Sequence, residues 1–360
     1  MSAVQHRFTS YIFIASLVIL LLILFHLQRE INQLKDDRRK NSFLLERFSD
    51  LIELKEERNE PFSDEFPTPF TPVKNEQQYI IVYNRVPKTG STSFIGLAYD
   101  LCKTNKFNVL HLNVSRNSHV MSLSDQSRFV SNVTDWTQKQ PSLYHGHIAF
   151  IDFSKFGVQK KPIYINLIRE PLSRLVSYYY FLRFGDNFRP YVVRKRQGNK
   201  VSFDECVEHG DRDCDPNNMW LQIPFFCGHS AECWTPGNEW ALKQAKKNLI
   251  EHYLIVGVTE KMHEFVAILE ATLPRFFKGA TNLYEKGLKS HLRKTYNKVE
   301  PSTETVSKIR DSKIWQMENE FYQFALQQFN FIKQRTLIEV EDSFTDVGNQ
   351  FFYEKIRPRR

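Results

Sequence analysis

The segment Pro87-Lys88-Thr89-Gly90-Ser91-Thr92-Ser93 follows a short apolar run and precedes a helical pattern. A helix N-terminus exposes backbone N–H groups and a positive dipole end, so it binds phosphate well. Gly90 lets the backbone turn tightly beside an anion, and Lys88 supplies a positive charge. Further donors are the hydroxyls of Thr89, Ser91 and Thr92. The segment predicts a phosphate-binding loop, although it departs from the pattern GxxxxGK[ST]; a polar helix cap without a ligand is the alternative.

A second set of polar residues follows the next apolar run. Arg169 ends that run, and Ser177 lies eight residues later. This separation is a little over two helical turns, so one face can carry both groups. Alone, the arginine would suit a surface ion pair and the serine a helix surface. Together with the loop, the pair predicts a second contact to an anion.

Two histidines, His145 and His147, flank Gly146 just before another apolar run. A single histidine is usually structural, but a pair at this spacing indicates function. Imidazole titrates near neutral pH and can take a proton from a hydroxyl group as a general base. The pair therefore predicts acid–base chemistry.

The elements that must position these residues are apolar runs alternating with helical patterns. The runs are continuous, which is typical of strands buried on both faces of a parallel sheet. Strands are predicted over Tyr79–Tyr83, Ile163–Ile168 and Tyr253–Val258. Helices are predicted over Pro171–Arg183, Glu239–Glu251, Met262–Leu273 and Trp315–Lys333, the last with an aromatic stripe that suits core packing. This order predicts an α/β fold, a P-loop-like parallel sheet flanked by helices.

The first 75 residues differ in composition from the rest. Residues 11–27 are apolar apart from Ser16 and His26, at the short end of the length that spans a bilayer. Because no small-residue cleavage site follows, an uncleaved transmembrane signal-anchor is favoured over a signal peptide. We expect a cytoplasmic tail at 1–10, the anchor at 11–27, a stem and linker at 28–75 and the globular domain at 76–360. The heptad pattern of the stem fits a charged amphipathic segment or a weak coiled coil.

The side of the membrane is indicated by conflicting signals. Positive residues after the span, among them Arg29, Arg38 and Arg39, would alone place the C-terminal side in the cytosol. Glycosylation sequons beginning at Asn113 and Asn132 favour the lumen. The cysteines favour it too, so we expect a luminal domain against the charge bias.

Four of the five cysteines lie close together in the chain, at Cys206, Cys214, Cys227 and Cys233. They allow three pairings, of which the short loops Cys206–Cys214 and Cys227–Cys233 are favoured. A metal site is the alternative, but the spacings are not those of a zinc ribbon. Cys102 is left over and is expected to be buried.

The net charge of +8, with a pI near 9.1, predicts an anionic partner. Nucleic acid, anionic lipid and an acidic polysaccharide all meet that description. A luminal domain with sequons and disulfides excludes nucleic acid, but the charge alone does not choose between anionic lipid and an acidic polysaccharide.

The loop, Arg169 and Ser177 together resemble the donor site of Golgi carbohydrate sulfotransferases, whose donor is 3′-phosphoadenosine 5′-phosphosulfate (PAPS). From about residue 76 onward the chain is similar to the heparan sulfate 2-O-sulfotransferases. The similar runs are Tyr144–His147, Ser177–Asp186, Leu221–His229 and Phe351–Lys355. This resemblance implies sulfuryl transfer from PAPS to the 2-hydroxyl of hexuronic acid, mainly iduronate, in heparan sulfate. The reaction yields 3′,5′-ADP and needs no metal.

The resemblance also implies roles for individual residues. His147 is the expected general base, His145 assists or orients it, and Lys88 neutralises charge on the leaving group. Arg169 and Ser177 are expected to hold the 3′-phosphate. Other expected donor contacts are the loop residues and Tyr284, Ser290, Thr295 and Lys298. Expected acceptor contacts are Arg85, Tyr99, His111, Arg189, Arg194 and Lys355.

Members of this family form homotrimers, so Lys355 would act in a neighbouring subunit. The resemblance further implies a single-pass type II protein of the Golgi membrane. The sequence leaves open the preference for iduronate over glucuronate, the division of roles between His145 and His147, and an association with the glucuronyl C5-epimerase.

Three alternative functions make different predictions. A uronyl 2-O-sulfotransferase acting on dermatan or chondroitin sulfate would share the donor loop and the histidines. A P-loop nucleotide kinase would need an acidic Mg²⁺ site and the usual Walker lysine, which is missing. A non-catalytic glycan-binding membrane protein would keep its function without His147.

Overall fold

The computed structural model describes Gln28 and residues 79–114, 118–286, 294–340 and 343–351. Within these residues, a parallel sheet contains β1 (Ile80–Asn84), β2 (Asn108–Leu112), β3 (Ser142–Gly146), β4 (Ile163–Ile168) and β5 (Tyr253–Val258). Its strand order is β2-β3-β1-β4-β5. An antiparallel pair, β6 (Leu337–Val340) and β7 (Ser343–Asp346), follows near the end of the chain.

Helices cover both faces of this sheet. They are α1 (Ser91–Thr104), α2 (Leu123–Asp135), α3 (Pro171–Phe184), α4 (Phe203–His209), α5 (Gln222–Cys227), α6 (Glu239–His252), α7 (Met262–Thr272), α8 (Pro274–Phe277), α9 (Ala280–Lys286), α10 (Thr303–Arg310) and α11 (Lys313–Thr336). Short 3-10 turns are Thr137–Lys139, Phe153–Phe156, Arg212–Cys214, Pro216–Met219, Ala231–Trp234 and Thr259–Lys261. Two apolar clusters, one on each side of the sheet, form the core.

The order of the strands decides where a ligand can enter. From β1 the chain passes through α1 to β2 and β3 on one side, whereas β4 and β5 lie on the other side of β1. A crevice therefore opens at the carboxyl ends of β1 and β4, which is where open α/β sheets bind ligands. The loop after β1 and Arg169 after β4 both lie at this edge.

Buried polar side chains connect these central strands. Asn166 on β4 donates through Nδ2 to Oδ1 of Asn84 on β1 at 2.9 Å, and the Tyr253 hydroxyl donates to the same oxygen at 3.0 Å. All three residues are buried. Buried polar groups must be hydrogen-bonded to be tolerated, so this network fixes how β1, β4 and β5 align beneath the crevice.

The predicted α/β fold with a parallel sheet is confirmed. The three predicted strands and four predicted helices occur with small differences at their ends, and the aromatic stripe of α11 buries Phe321 and Phe329 as expected. Strands β2 and β3 were not predicted.

Among the described residues, no helix combines the length and apolarity needed to cross a membrane. The predicted anchor at 11–27 lies outside the described residues, as does the stem apart from Gln28.

Candidate active site

The loop after β1 has an unusual backbone. Lys88 has φ 68° and Gly90 has φ 71°, both in the left-handed region. Glycine adopts this conformation readily, whereas lysine does so at a cost that often marks a functional site. Gly90 is the N-cap of α1, and a Cβ there would lie only 3.0 Å from Cε of Met262. The loop therefore requires glycine both for its turn and for its close packing against α7.

A cavity of about 810 Å³ lies beside this loop, at the carboxyl ends of β1 and β4. It is bounded by the loop, the first turn of α1, α3 and the start of α7. The predicted residues that line it are Arg85, Lys88, Gly90, Ser91, Thr92, Ser93, His147, Arg169, Ser177 and Tyr284. We refer to it as the donor cavity.

Basic and hydroxyl groups from distant parts of the chain meet in the donor cavity. Nζ of Lys88 donates to Oγ1 of Thr295 at 3.2 Å, and the same Oγ1 lies 3.5 Å from Oγ of Ser177. An antiparallel bridge between Thr295 and Asp186 brings this segment over the cavity. The ammonium group of Lys88 also lies 4.3 Å from the centroid of the Phe181 ring, which favours a cation.

Arg169 lines the donor cavity from the end of β4. Its Nη1 lies 3.5 Å from the carbonyl oxygen of Lys88. Within the described part of the chain, its buried Nε has no hydrogen-bond partner. A buried donor without a partner is costly, and an anion in the cavity would satisfy it. These residues suit a ligand carrying two phosphate-like groups.

Three of the residues predicted to contact the donor are not placed in the donor cavity by the structure. Thr89 is fully buried and its hydroxyl donates to the carbonyl of Val86 at 2.9 Å, so it closes the loop instead of facing the cavity. Lys298 pairs with Glu300 at 2.6 Å and is not among the lining residues. Ser290 lies outside the described residues.

A second cavity of about 790 Å³ adjoins the first. The predicted residues that line it are Arg85, Tyr99, His111, His145, His147 and Arg189. We refer to it as the acceptor cavity. Arg85, Thr92 and His147 line both cavities, so these three residues lie where a donor and an acceptor would meet.

Arg85 holds this junction together. The buried guanidinium group donates to Nδ1 of His145 at 3.3 Å and to Oγ of Ser91 at 3.2 Å. Its backbone N–H donates to the carbonyl of Gly146 at 2.7 Å. Nδ1–H of His147 donates to the carbonyl of Arg85 at 2.8 Å. The end of β1 therefore fixes the positions of both histidines.

These contacts give the two histidines different tautomers. Because arginine can only donate, Nδ1 of His145 must accept, and its Nε2–H then donates to the hydroxyl of Tyr99 at 3.0 Å. Because a carbonyl can only accept, His147 carries its proton on Nδ1 and its lone pair on Nε2. Only His147 is left with a basic nitrogen that these bonds do not use.

Burial and charge keep both imidazoles neutral. Burial, followed by the nearby Arg85 charge, lowers the pKa of His145 to about 3 and that of His147 to about 4. His111 stacks on His145 with ring centroids 4.8 Å apart, and burial also lowers its pKa, followed by Arg85 and Arg189. The value for His147 is lower than the near-neutral pKa that we expected of a general base.

Two predicted acceptor residues are not in the acceptor cavity as described. Arg194 is paired with the buried Asp186 at 3.5 Å and lies 4.4 Å from the Phe181 ring, so it braces the loop that carries Arg189. Lys355 lies outside the described residues.

Some residues around the site had no sequence signal. His119 donates from Nδ1 to the carbonyl of His147 at 3.0 Å, and its ring packs against Phe225 and Trp234. Phe188 bounds the acceptor cavity, and Phe181, which lies within the similar run Ser177–Asp186 but was given no role, bounds the donor cavity. Isolated aromatic and histidine residues in loops and helices carry no local pattern, so only the tertiary structure reveals them.

Both predicted disulfides, Cys206–Cys214 and Cys227–Cys233, are present. Cys102 has a free thiol, as expected, but it is only half-buried because it lies near the end of α1.

Asn113 and Asn132 of the sequons are both exposed. Asn113 lies on the lining of the acceptor cavity and Asn132 on α2.

A model of the sulfotransferase family matches residues 71–325. The chain belongs to this family. Membership in the sulfotransferase family implies PAPS as the donor, and the basic, hydroxyl-rich donor cavity fits that molecule.

Several characterised relatives of this sulfotransferase are similar over most of their length. Heparan sulfate 2-O-sulfotransferase 1 of Gallus gallus is 53% identical over 346 residues, which is 96% of each chain. The Homo sapiens protein of the same name is 58% identical over 284 residues, covering 79% of this chain and 80% of its own. The heparin sulfate O-sulfotransferase of Drosophila melanogaster is 60% identical over the same length.

Proposed function

We propose that this sulfotransferase transfers the sulfuryl group of PAPS to the 2-hydroxyl of hexuronic acid, mainly iduronate, in heparan sulfate. The observation that carries the proposal is the pair of adjoining cavities that share Arg85, Thr92 and His147. The names of the relatives, at 53–60% identity, support the acceptor. They do not favour the alternative, a uronyl 2-O-sulfotransferase acting on dermatan or chondroitin sulfate.

The donor cavity supplies binding and charge stabilisation. PAPS would bring the sulfuryl group, bound to its 5′-phosphate as a mixed phosphoric–sulfuric anhydride. The N-terminus of α1 and the loop bind the 5′-phosphosulfate end, and Arg169, Ser177 and Thr295 bind the 3′-phosphate. Lys88 stabilises the negative charge that develops on the leaving oxygen, because a preoriented cation lowers the energy of a transition state in which charge accumulates.

His147 acts as the general base in this proposal. Its bond to the carbonyl of Arg85 leaves the lone pair on Nε2, which can take the proton of the attacking hydroxyl. His145, with both nitrogens engaged by Arg85 and Tyr99, orients Arg85 and the acceptor instead. The hydrogen bonds of the two rings support this division of roles.

The lowered pKa of His147 meets one requirement of a general base and opposes another. A neutral imidazole is ready to accept a proton at physiological pH, but one with a pKa near 4 is a weak base. Anionic groups placed nearby favour the protonated form. The phosphates and sulfates of the two substrates therefore raise the pKa of His147 towards neutrality when both cavities are filled.

The acceptor is held by the basic rim of the acceptor cavity. Arg85 and Arg189 present guanidinium groups, which suit carboxylates and sulfates because they can form paired hydrogen bonds. Tyr99 and His111, which both contact His145, also line this cavity. Arg194 acts through Asp186 and the loop rather than by direct contact.

We also propose that the chain is a single-pass type II protein of the Golgi membrane with a luminal catalytic domain, and that it forms homotrimers. The two disulfides support an oxidising compartment. The apolar residues 11–27 support the anchor. Association with the glucuronyl C5-epimerase and a contribution of Lys355 to a neighbouring subunit belong to the same proposal.

An acceptor competition tests the proposed function. The purified enzyme receives radiolabelled PAPS with N-sulfated heparosan and dermatan in equal amounts, and the products are separated. We expect label chiefly in the heparosan product, and no label above background with a Lys88→Ala control. A clear preference for dermatan would favour the uronyl 2-O-sulfotransferase alternative.

A further inference from the structure

Gln222 is the first residue of α5, within the run Leu221–His229 that the sequence singled out without a role. It is fully buried. Its side-chain amide pairs with the backbone of Arg169: Oε1 accepts the N–H at 2.9 Å, and Nε2 donates to the carbonyl at 2.9 Å. The amide thus supplies both hydrogen bonds that a neighbouring strand would give to one residue.

Arg169 needs such a partner because the sheet ends just before it. The ladder between β4 and β5 ends at the pair Ile168 and Val258. Backbone groups buried without partners are rare in folded proteins. Gln222 therefore extends the ordered part of β4 by one residue, and it fixes the direction in which the Arg169 side chain leaves the backbone.

Gln222 is itself held on both sides. Oε1 of Glu318, a fully buried residue of α11, accepts from the backbone N–H groups of Leu221 at 2.9 Å and of Ile223 at 3.1 Å. The residues flanking Gln222 are therefore attached to the core helix. The resulting connection runs from α11 through α5 to Arg169 in the donor cavity.

We infer that Gln222 is a positioning residue for the donor's 3′-phosphate. It holds Arg169 so that the guanidinium group lies in the donor cavity, and it thereby sets the preference for nucleotides that carry a 3′-phosphate. The inference rests on the proposed function, since it takes Arg169 as the contact to that phosphate.

Binding of two nucleotides to the Gln222→Met enzyme tests this inference. Methionine has a similar shape but forms neither bond to Arg169. Calorimetry gives the Kd of 3′,5′-ADP and of 5′-AMP, which lacks the 3′-phosphate. We expect the affinity ratio between them to fall by about tenfold, since a charge-assisted contact is misplaced. An unchanged ratio, or an equal loss for both nucleotides, would overturn the inference.

Asn248 offers a matched control, because it holds the other end of α5. Its Nδ2 donates to the carbonyls of Phe226 at 2.8 Å and Cys227 at 3.1 Å. Asn248→Leu should lower Tm while leaving the nucleotide ratio unchanged. A fall in the ratio as large as that of Gln222→Met would mean that any loosening of α5 has this effect, which contradicts a specific role for Gln222.

Arg169→Ala separates failure of this inference from failure of the proposed function. If the ratio of the affinities for 3′,5′-ADP and 5′-AMP is unchanged in Arg169→Ala, the proposed 3′-phosphate contact is wrong, and the inference is wrong with it. If that ratio falls in Arg169→Ala but is unchanged in Gln222→Met, only the inference is wrong. Should Gln222→Met fail to fold, Gln222→Leu takes its place; leucine also forms neither bond to Arg169, so the affinity ratio must fall in that variant too.

Discussion

His145 and His147 are separated by one glycine, yet their hydrogen bonds give them different tautomers. Arg85 donates to one ring, and its carbonyl accepts from the other. The sequence could predict that the pair is functional, because the two residues are neighbours. It could not divide their roles, because the tautomers depend on an arginine about 60 positions earlier in the chain.

Replacing His147 with alanine removes the proposed base. We expect kcat to fall on the order of 10² to 10⁴-fold, the usual contribution of a positioned general base. The affinity for 3′,5′-ADP should change little, because the loop and Arg169 remain. Transfer assays and calorimetry on the same preparation measure both. Transfer at a rate close to that of the wild type would contradict the role of His147 as the general base.

Strand β3 carries both His145 and Gly146, but nothing in its sequence resembles the continuous apolar runs of β1 and β4. Its residues become buried because β1 and β2 pair with its two edges. This burial is a tertiary effect that local patterns cannot reveal. The loop after β1 was predictable for the opposite reason, since a strand, a glycine turn and a helix start lie next to one another in the chain.

Gly146 is required by the packing of β3 against β2. A Cβ at this position would lie 2.7 Å from Cβ and 2.8 Å from the carbonyl oxygen of Leu112. We expect Gly146→Ala to cost about 1–3 kcal/mol of stability and to lower kcat by tenfold or more, about the effect of a small misplacement of a catalytic group. Chemical denaturation and transfer assays measure the two effects.

Gly257→Ala is the control for this prediction. Gly257 lies on β5, at the edge of the same sheet and away from the histidines. Its new Cβ would lie 2.3 Å from Cδ2 of Phe265 on α7. It should destabilise the fold in a similar way while the folded enzyme keeps a kcat close to that of the wild type. An equal loss of kcat in both variants would show that overpacking of the sheet, and not displacement of His147, reduces the rate.

Across the whole molecule, buried histidines predict sensitivity to acid. Burial is the main cause that lowers the pKa of His145 to about 3, and those of His147 and His229 to about 4. The unfolded chain takes up protons near pH 6.5, whereas the folded chain resists them. Their contribution to stability is therefore complete above about pH 6.5 and is lost as the pH falls towards 4, at about 1.4 kcal/mol per histidine for each pH unit.

Denaturant titrations between pH 7 and pH 5 measure this slope. His229→Asn is a useful comparison, because asparagine can still accept the bond that Nδ1 of His229 receives from the Met121 N–H at 3.1 Å. The variant should lose less stability on acidification than the wild type. A wild-type stability that stays constant over this range would contradict the burial of the three imidazoles.

The net charge of +8 belongs to the whole molecule and bears on the polysaccharide. Exposed basic residues such as Arg189 attract a polyanion over distances that salt screens. We expect the KM for heparosan to rise severalfold between about 0.05 and 0.5 M NaCl, and the KM for PAPS to rise less, because its contacts are short and enclosed. Equal changes in both constants would argue against an extended acceptor surface.

The position of the transferred sulfate tests the central claim most directly. A defined N-sulfated heparan oligosaccharide with one iduronate is incubated with PAPS and the enzyme, and the product is mapped by tandem mass spectrometry. We predict a single new sulfate on the 2-hydroxyl of that iduronate. A sulfate on glucosamine, or no transfer to an oligosaccharide of this kind, would contradict the account.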